Sequence, residues 1–181
     1  MLLLINRLKQ DYPVFREPVE PSPRLAAVMV VLYEKKSKSY ITLIRRSYDL
    51  KNHAGEIGFP GGGYEEKDGD LFETARRETQ EELNLLVKES MIIGRLPPVN
   101  TLTGFNVTPF VALIDHEPVY SPNHREVNEV IDIPLIPLLE TQVPDQKFKA
   151  SMNMVEFWYR KNRIWGATSK ILLQLAQLIT Y

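Results

Sequence analysis

Apolar residues along this chain fall into two rhythms. LAAVMVVLY (25–33) is a nearly unbroken apolar run, the pattern of a strand buried on both faces. YITLIRR (40–46) follows across the polar turn EKKSKS and reads as a second strand. VTPFVALI (107–114), EVIDI (129–133) and MVEFWYR (154–160) read as further strands, with Lys161 and Asn162 as a tight turn after the last. Helical spacing marks residues 1–9, ended by Pro13, and residues 70–86. A last helix, KILLQLAQLI, is apolar at Ile171, Leu172, Leu175, Leu178 and Ile179, with Thr168 or Ser169 as its cap. The segment from Pro13 to Pro23 is proline-rich and reads as extended, so 1–24 forms an N-terminal lead-in that starts with a short helix. NHAGEIGFPGGG (52–63) holds too many glycines for regular helix. Strands and helices interleave, yet the first two strands form a hairpin. That predicts an α/β (α+β) fold, a mixed sheet with helices against it, as one domain over residues 1–181.

Composition narrows the class. The hydrophobic share is 44% and the charged share 25%, as in soluble globular proteins. A net charge of −1 gives no basic field for nucleic acid. The chain has no cysteine, which excludes disulfides, thiolate metal sites and cysteine nucleophiles and fits a reducing compartment. The first residues lack a basic segment and a cleavage site, and no stretch approaches the roughly 20 apolar residues of a spanning helix. The expectation is a cytoplasmic protein with no membrane or nucleic-acid partner. The proline-rich start and the LPPV loop are the candidates for a homodimer contact.

RRETQEEL (76–83) changes the picture. On a helix at about 100° per residue, Leu71, Phe72, Ala75, Thr79, Leu83 and Leu86 share one arc. Glu82 falls inside the edge of that arc, Glu78 just outside it, and Glu81 further round. A solvated acidic face would lie opposite the apolar stripe; this one overlaps its margin. Glutamate is rarely buried unpaired, so the three carboxylates face a positive group, and a hard divalent cation suits carboxylate oxygens. Arg77 can pair with Glu81 or Glu73 at helical spacing. The competing reading is a surface helix with ordinary Glu/Arg pairs. Upstream, GFPGGGYEEKDGD (58–70) is a glycine-rich loop leading into the helix, able to offer backbone N–H groups to an anion.

Loop and helix together resemble the signature of the Nudix hydrolases, from Gly62 to Leu85. Every charged position from Arg77 to Glu82 matches. The gap before Arg77 is one residue longer than the general pattern, Asp68 stands nearest the first glutamate without an assigned role, Thr79 replaces a larger apolar residue, and Asn84 replaces a glycine. Asparagine tolerates the left-handed conformation that such a helix end needs. TLIRRSYDLKNHAGEIGFPGG (42–62) is similar to the added motif of the coenzyme A pyrophosphatase branch, matching at Arg46, Ser47, Gly55, Phe59, Pro60, Gly61 and Gly62. Lys51 stands where that motif has arginine, and Ile44 near its threonine. Stretches 96–114, 126–135 and 164–175 are similar too, so the likeness spans about 25–178.

The resemblance implies a Nudix-like α/β/α sandwich with a mixed β-sheet. It implies Mg²⁺- or Mn²⁺-dependent hydrolysis of coenzyme A or acyl-CoA to 3′,5′-ADP and (acyl-)4′-phosphopantetheine. Glu78 and Glu82 become metal ligands, and Glu81 a further ligand or a water-orienting base. Arg77 belongs to the catalytic set, and Glu126 or Glu129 can act as general base. Arg46, Ser47, Lys51, Gly61 and Gly62 become substrate-binding residues. His53 reads as a turn residue and His116 and His124 as surface residues. Phe157, Trp158, Tyr159 and Trp165 read as core and hairpin packing. The alternatives are a Nudix hydrolase of another nucleoside diphosphate derivative (NADH, ADP-ribose, a dinucleotide), a non-catalytic nucleotide sensor, and, last, a calcium-stabilised interaction domain, whose loop pattern is missing.

Overall fold

The computed structural model describes residues 1–15, 24–145 and 154–180. Its strands are β1 (Leu25–Lys35), β2 (Lys38–Arg46), β3 (Ile57–Gly58), β4 (Gly61–Gly63), β5 (Ile92–Arg95), β6 (Val99–Asn100), β7 (Asn106–Ile114), β8 (Val127–Pro134), β9 (Val143–Pro144), β10 (Val155–Tyr159) and β11 (Asn162–Ile164). Its α-helices are α1 (Leu2–Asp11), α2 (Leu71–Leu83), α3 (Leu135–Leu139) and α4 (Gly166–Thr180).

The apolar run 25–33 becomes the middle of the main sheet. β1 pairs antiparallel with β2 and β4 and parallel with β7, so the sheet is mixed as expected. The order β3-β2-β1-β7-β5 is extended by β8 on β2 and β6 on β7, and β9, β10 and β11 form a smaller sheet. Side chains of β1 alternate between two cores. Val30 and Leu32 pack with Leu4 and Leu8 of α1, Leu135 and Leu138 of α3, and Ile171, Leu172 and Leu175 of α4. Ala27, Met29, Val31 and Tyr33 pack with Leu71, Phe72, Ala75 and Leu83 of α2. Burial on both faces is why the strand reads as continuous apolar sequence, each such side chain contributing roughly 1.5–3 kcal/mol. Helices thus cover both faces of the sheet, as in an α/β/α sandwich.

Several expectations need correction. The first hairpin turns on Lys36 and Ser37 alone, both at positive φ, so its strands run further into EKKSKS than the polarity suggested. α2 stops at Leu83 because Asn84 adopts φ 54°, and Leu86, assigned to the core stripe, is 55% exposed. The helix expected over 1–9 forms as α1, two residues longer at its end, and buries Leu4 and Leu8. The extended reading of residues 16–23 lies outside the described residues. The last hairpin turns on Arg160 and Lys161, one residue earlier than expected, with Tyr159 opposite Asn162. α4 already begins at Gly166, so Thr168 and Ser169 lie in its first turn, where the Ser169 hydroxyl donates to the Gly166 carbonyl.

Candidate active site

The site forms where α2 crosses the glycine strand β4. Asp70 caps α2, its carboxylate accepting from the Glu73 N–H at 2.8 Å, and Asn84 ends it in the left-handed conformation. β4 lies opposite Ala26–Val28, with α2 packed over it. A Cβ on Gly61 would stand 2.4 Å from the Ala27 carbonyl oxygen, and one on Gly62 would stand 2.4 Å from Glu78 Oε1. Missing side chains therefore let helix carboxylates lie directly on the strand.

The helical arc placed the glutamates correctly. The Glu82 side chain is 2% exposed, Glu78 16% and Glu81 50%. Glu82 Oε2 accepts from the Gly61 N–H at 2.9 Å, and Oε1 faces Arg46 Nη1 at 3.4 Å. Burial pushes the Glu82 carboxyl up to about 8, against the pull of the Gly61 N–H and Arg46, and the charges of Glu78 and Glu126 push it further. Burial likewise raises Glu78, against Arg77, with Glu81 and Glu126 adding to the rise. Glu126 thus acts electrostatically on both buried carboxylates.

Arg77 is the hub beside them. It donates to both oxygens of Asp68 (2.7 and 3.1 Å), to Glu78 Oε1 (2.8 Å), to Glu81 Oε2 (3.1 Å) and to the Gly63 carbonyl (3.1 Å). The expected partner Glu81 is present; Glu73 pairs with Arg76 instead, one residue earlier on the helix. Asp68, which sequence reasoning left without a role, is 3% exposed and also accepts from Thr74 Oγ1 and the Glu65 N–H. Burial opposes its ionisation, but the hydrogen bonds from Arg77, Glu65 and Thr74 outweigh that and hold its pKa below the usual range. Asp68 ends a short 3₁₀ turn, Glu66–Asp68, that presents this carboxylate. Only its position ahead of Arg77 hinted at the contact.

Glu126 is half-buried in a segment fixed by its main chain. Ser121 and Asn123 N–H groups donate to the carbonyls of Leu83 and Glu82 at the end of α2, and the Ser47 N–H donates to the Glu126 carbonyl at 2.8 Å. Ser47 is itself buried, its hydroxyl accepting from the Asp49 N–H. Glu129, the other candidate base, is exposed and pairs with Arg45 at 3.3 Å, apart from the glutamates of α2. Lys51 is exposed in the loop after Ser47. His53 sits at φ 56° with its ring on Glu56, a turn residue as read; His116 and His124 are exposed. Phe157 is buried, whereas Trp158 is 38% exposed and Trp165 lines a cavity, so the aromatic group is not all core.

Among the described residues, no three imidazole or carboxylate groups already stand as a closed ligand set. Glu81 turns outward towards Arg77 while Glu78 and Glu82 face β4. The donor chemistry nevertheless fits a hard divalent ion: burial raises the Glu82 and Glu78 carboxyls, each other's neighbours, and the Gly61 N–H and Arg46 only partly offset this at Glu82.

A family model described as the NUDIX domain matches residues 23–153. The chain belongs to the Nudix family. Two relatives named uncharacterized Nudix hydrolase NudL agree. The one from Pectobacterium atrosepticum is 36% identical, covering 97% of this chain and 93% of the relative. The one from Photorhabdus laumondii is 34% identical, covering 97% and 95%. A Nudix hydrolase structure from Alicyclobacillus acidocaldarius shares the fold at TM-score 0.62 and 16% identity, covering 88% of this chain and 93% of that one. The Nudix domain of Shewanella oneidensis NrtR, solved with ADP ribose, does so at TM-score 0.53 and 20% identity, over 67% and 79%. As a Nudix hydrolase, the chain has the assignment of a pyrophosphohydrolase of nucleotide derivatives, in a family that generally uses divalent metal ions. Among the described residues no helix is long and apolar enough to cross a membrane.

Proposed function

We propose that this Nudix hydrolase cleaves the pyrophosphate bond of coenzyme A or acyl-CoA, releasing 3′,5′-ADP and (acyl-)4′-phosphopantetheine. One observation carries the reading: Arg46, from the stretch resembling the coenzyme A pyrophosphatase motif, faces Glu82, from the Nudix helix, at 3.4 Å. Two separate sequence patterns thus contribute to one site. Glu78 and Glu82, with Glu81, are the groups to hold Mg²⁺ or Mn²⁺, which when bound would screen the phosphates and acidify a coordinated water. Glu126 is the general base of this proposal, half-buried and electrostatically coupled to Glu78 and Glu82. Arg77 neutralises Glu78 and Glu81 and fixes their rotamers through its anchor on Asp68. Arg46 and Lys51 attract the diphosphate, the Gly61–Gly62 backbone allows its close approach, and Ser47 holds Arg46 and Glu126 in register.

The test is product analysis after incubating coenzyme A with the protein and Mg²⁺ or Mn²⁺, with a chelator control. The expected product is 3′,5′-ADP, abolished by the chelator. Faster cleavage of NADH or ADP-ribose than of coenzyme A would refute the substrate assignment while leaving the hydrolase intact.

A further inference from the structure

Two cavities open on the α4 face of the sheet, the smaller of them lined by Arg46. The smaller, about 190 Å³, is walled by Arg46, Phe59 and Val107; the larger, about 340 Å³, by Leu102, Met154 and Trp165. They share His53, Glu56, Ile57, Ala167 and Thr168, so the two adjoin, and a chain leaving Arg46 could reach the second through the first. The larger one has the size and the apolar lining of a small-molecule site.

Its walls are built, not incidental. Lys170 Nζ donates to the Asn100 carbonyl at 2.7 Å, tying α4 to the 101–105 loop, and Thr101 Oγ1 accepts from the Phe105 N–H at 2.9 Å to close that loop. The Arg163 guanidinium lies 5.4 Å over the Trp165 ring. Arg163 is in turn held by the buried carboxylates of Asp145 (2.7 Å) and Glu156. Trp165 is therefore fixed in place, with Arg163 against its ring.

Charge decides what enters. Among the described residues, the ionisable groups lining the larger cavity are His53, Glu56 and Lys170. His53 is paired with Glu56 at 3.0 Å, and Lys170, which gives one N–H to the Asn100 carbonyl, is offset in charge by Glu56, so these side chains carry no excess positive charge for a phosphate, whereas Arg46 lines the smaller cavity. Hydroxyls of Thr101, Thr103 and Thr168 can meet amides, while Leu102, Met154 and Trp165 suit an aliphatic tail. We infer that this cavity receives the uncharged, amide-bearing arm of the substrate together with its terminal thiol or acyl group, rather than the nucleotide half. The inference rests on the coenzyme A reading above.

Ala167 stands at the junction of the two cavities, so Ala167→Trp fills the passage. Product inhibition separates the two halves of the substrate. In the variant, inhibition by 4′-phosphopantetheine should weaken about tenfold or more, in the range that pocket filling produces, while inhibition by 3′,5′-ADP holds. The loss should appear in KM and grow with acyl-chain length. Leu102→Trp, at an exposed position, repeats the test should Ala167→Trp fail to fold. Weakened 3′,5′-ADP inhibition, equal weakening of both, or no change would overturn the assignment, as would absence of phosphopantetheine inhibition in the wild type. Those outcomes leave coenzyme A cleavage standing. Failure of the wild type to cleave coenzyme A removes the underlying reading itself.

Discussion

Gly62→Ala offers a sharp test of the α2–β4 contact. The new Cβ would lie 2.4 Å from Glu78 Oε1, 2.5 Å from its Cδ and 2.7 Å from Oε2. Ordinary contact needs about 3.4 Å, so the carboxylate must retreat by about 1 Å, a displacement that in an active site removes on the order of 10² in turnover. The carboxylate ends a flexible side chain, so the fold absorbs the change and the stability loss stays under about 1 kcal/mol. Gly61→Ala behaves oppositely. Its Cβ meets backbone, the Ala27 oxygen at 2.4 Å and Val28 Cα at 2.6 Å, and its φ is 151°. That variant should lose several kcal/mol of stability, about 3 or more, with activity falling in step with the folded fraction. The assay is kcat on coenzyme A at saturating Mn²⁺, alongside urea unfolding midpoints for both variants. Full turnover in a folded Gly62→Ala protein would refute the argument that Glu78 must rest against β4 for catalysis.

Glu82→Gln should lower turnover by at least about 10²-fold and abolish the thermal stabilisation that Mn²⁺ gives the wild type, a shift worth about 2.7 kcal/mol at a hundred times Kd. Differential scanning calorimetry with and without chelator reads the second effect, and an unchanged metal shift would remove Glu82 from the ligand set. Asp68→Asn should loosen Arg77 and lower the unfolding free energy, read from urea titrations, by on the order of 2 kcal/mol. It should also cut turnover without a matching change in KM, and wild-type kinetics would show that Asp68 positions nothing. Tyr33 and Tyr120 are both raised above the usual phenol value, first by burial, with Asp132 contributing to each. A raised folded pKa favours the neutral phenol, so this stability is complete below pH 10 and drains as pH climbs beyond it. Denaturant midpoints above pH 10 should fall less steeply in Tyr120→Phe; equal slopes would contradict this.

Much of this was legible in the sequence for identifiable reasons. Long elements with strong periodicity, such as β1, β7 and α2, follow from which faces are buried. The graded burial of Glu82, Glu78 and Glu81 followed from helical geometry alone. What escaped was decided by distant contacts. β4 carries no side chains, so it has no hydrophobic alternation to read, and it is a strand because Ala26–Val28 pairs with it. Leu86 fell outside the core because one residue, Asn84, ended the helix ahead of it. Asp68 meets Arg77 across a turn of nine residues, a pairing with no periodicity. Glu126 and Glu129 were equivalent in sequence; Arg45 takes Glu129, and a backbone contact to Ser47 holds Glu126.

The segment 121–127 is anchored through amide and carbonyl groups: Ser121 to Leu83, Asn123 to Glu82, and Glu126 to Ser47. Main-chain anchoring is indifferent to side-chain identity but intolerant of length. Around Glu126, point changes at Ser121 or His124 should therefore drift freely between descendants of this gene, while a single inserted or deleted codon would rotate the acid away from its neighbours. A reading-frame-preserving indel in this segment would displace the Glu126 carboxylate as surely as replacing Glu126 itself would remove it.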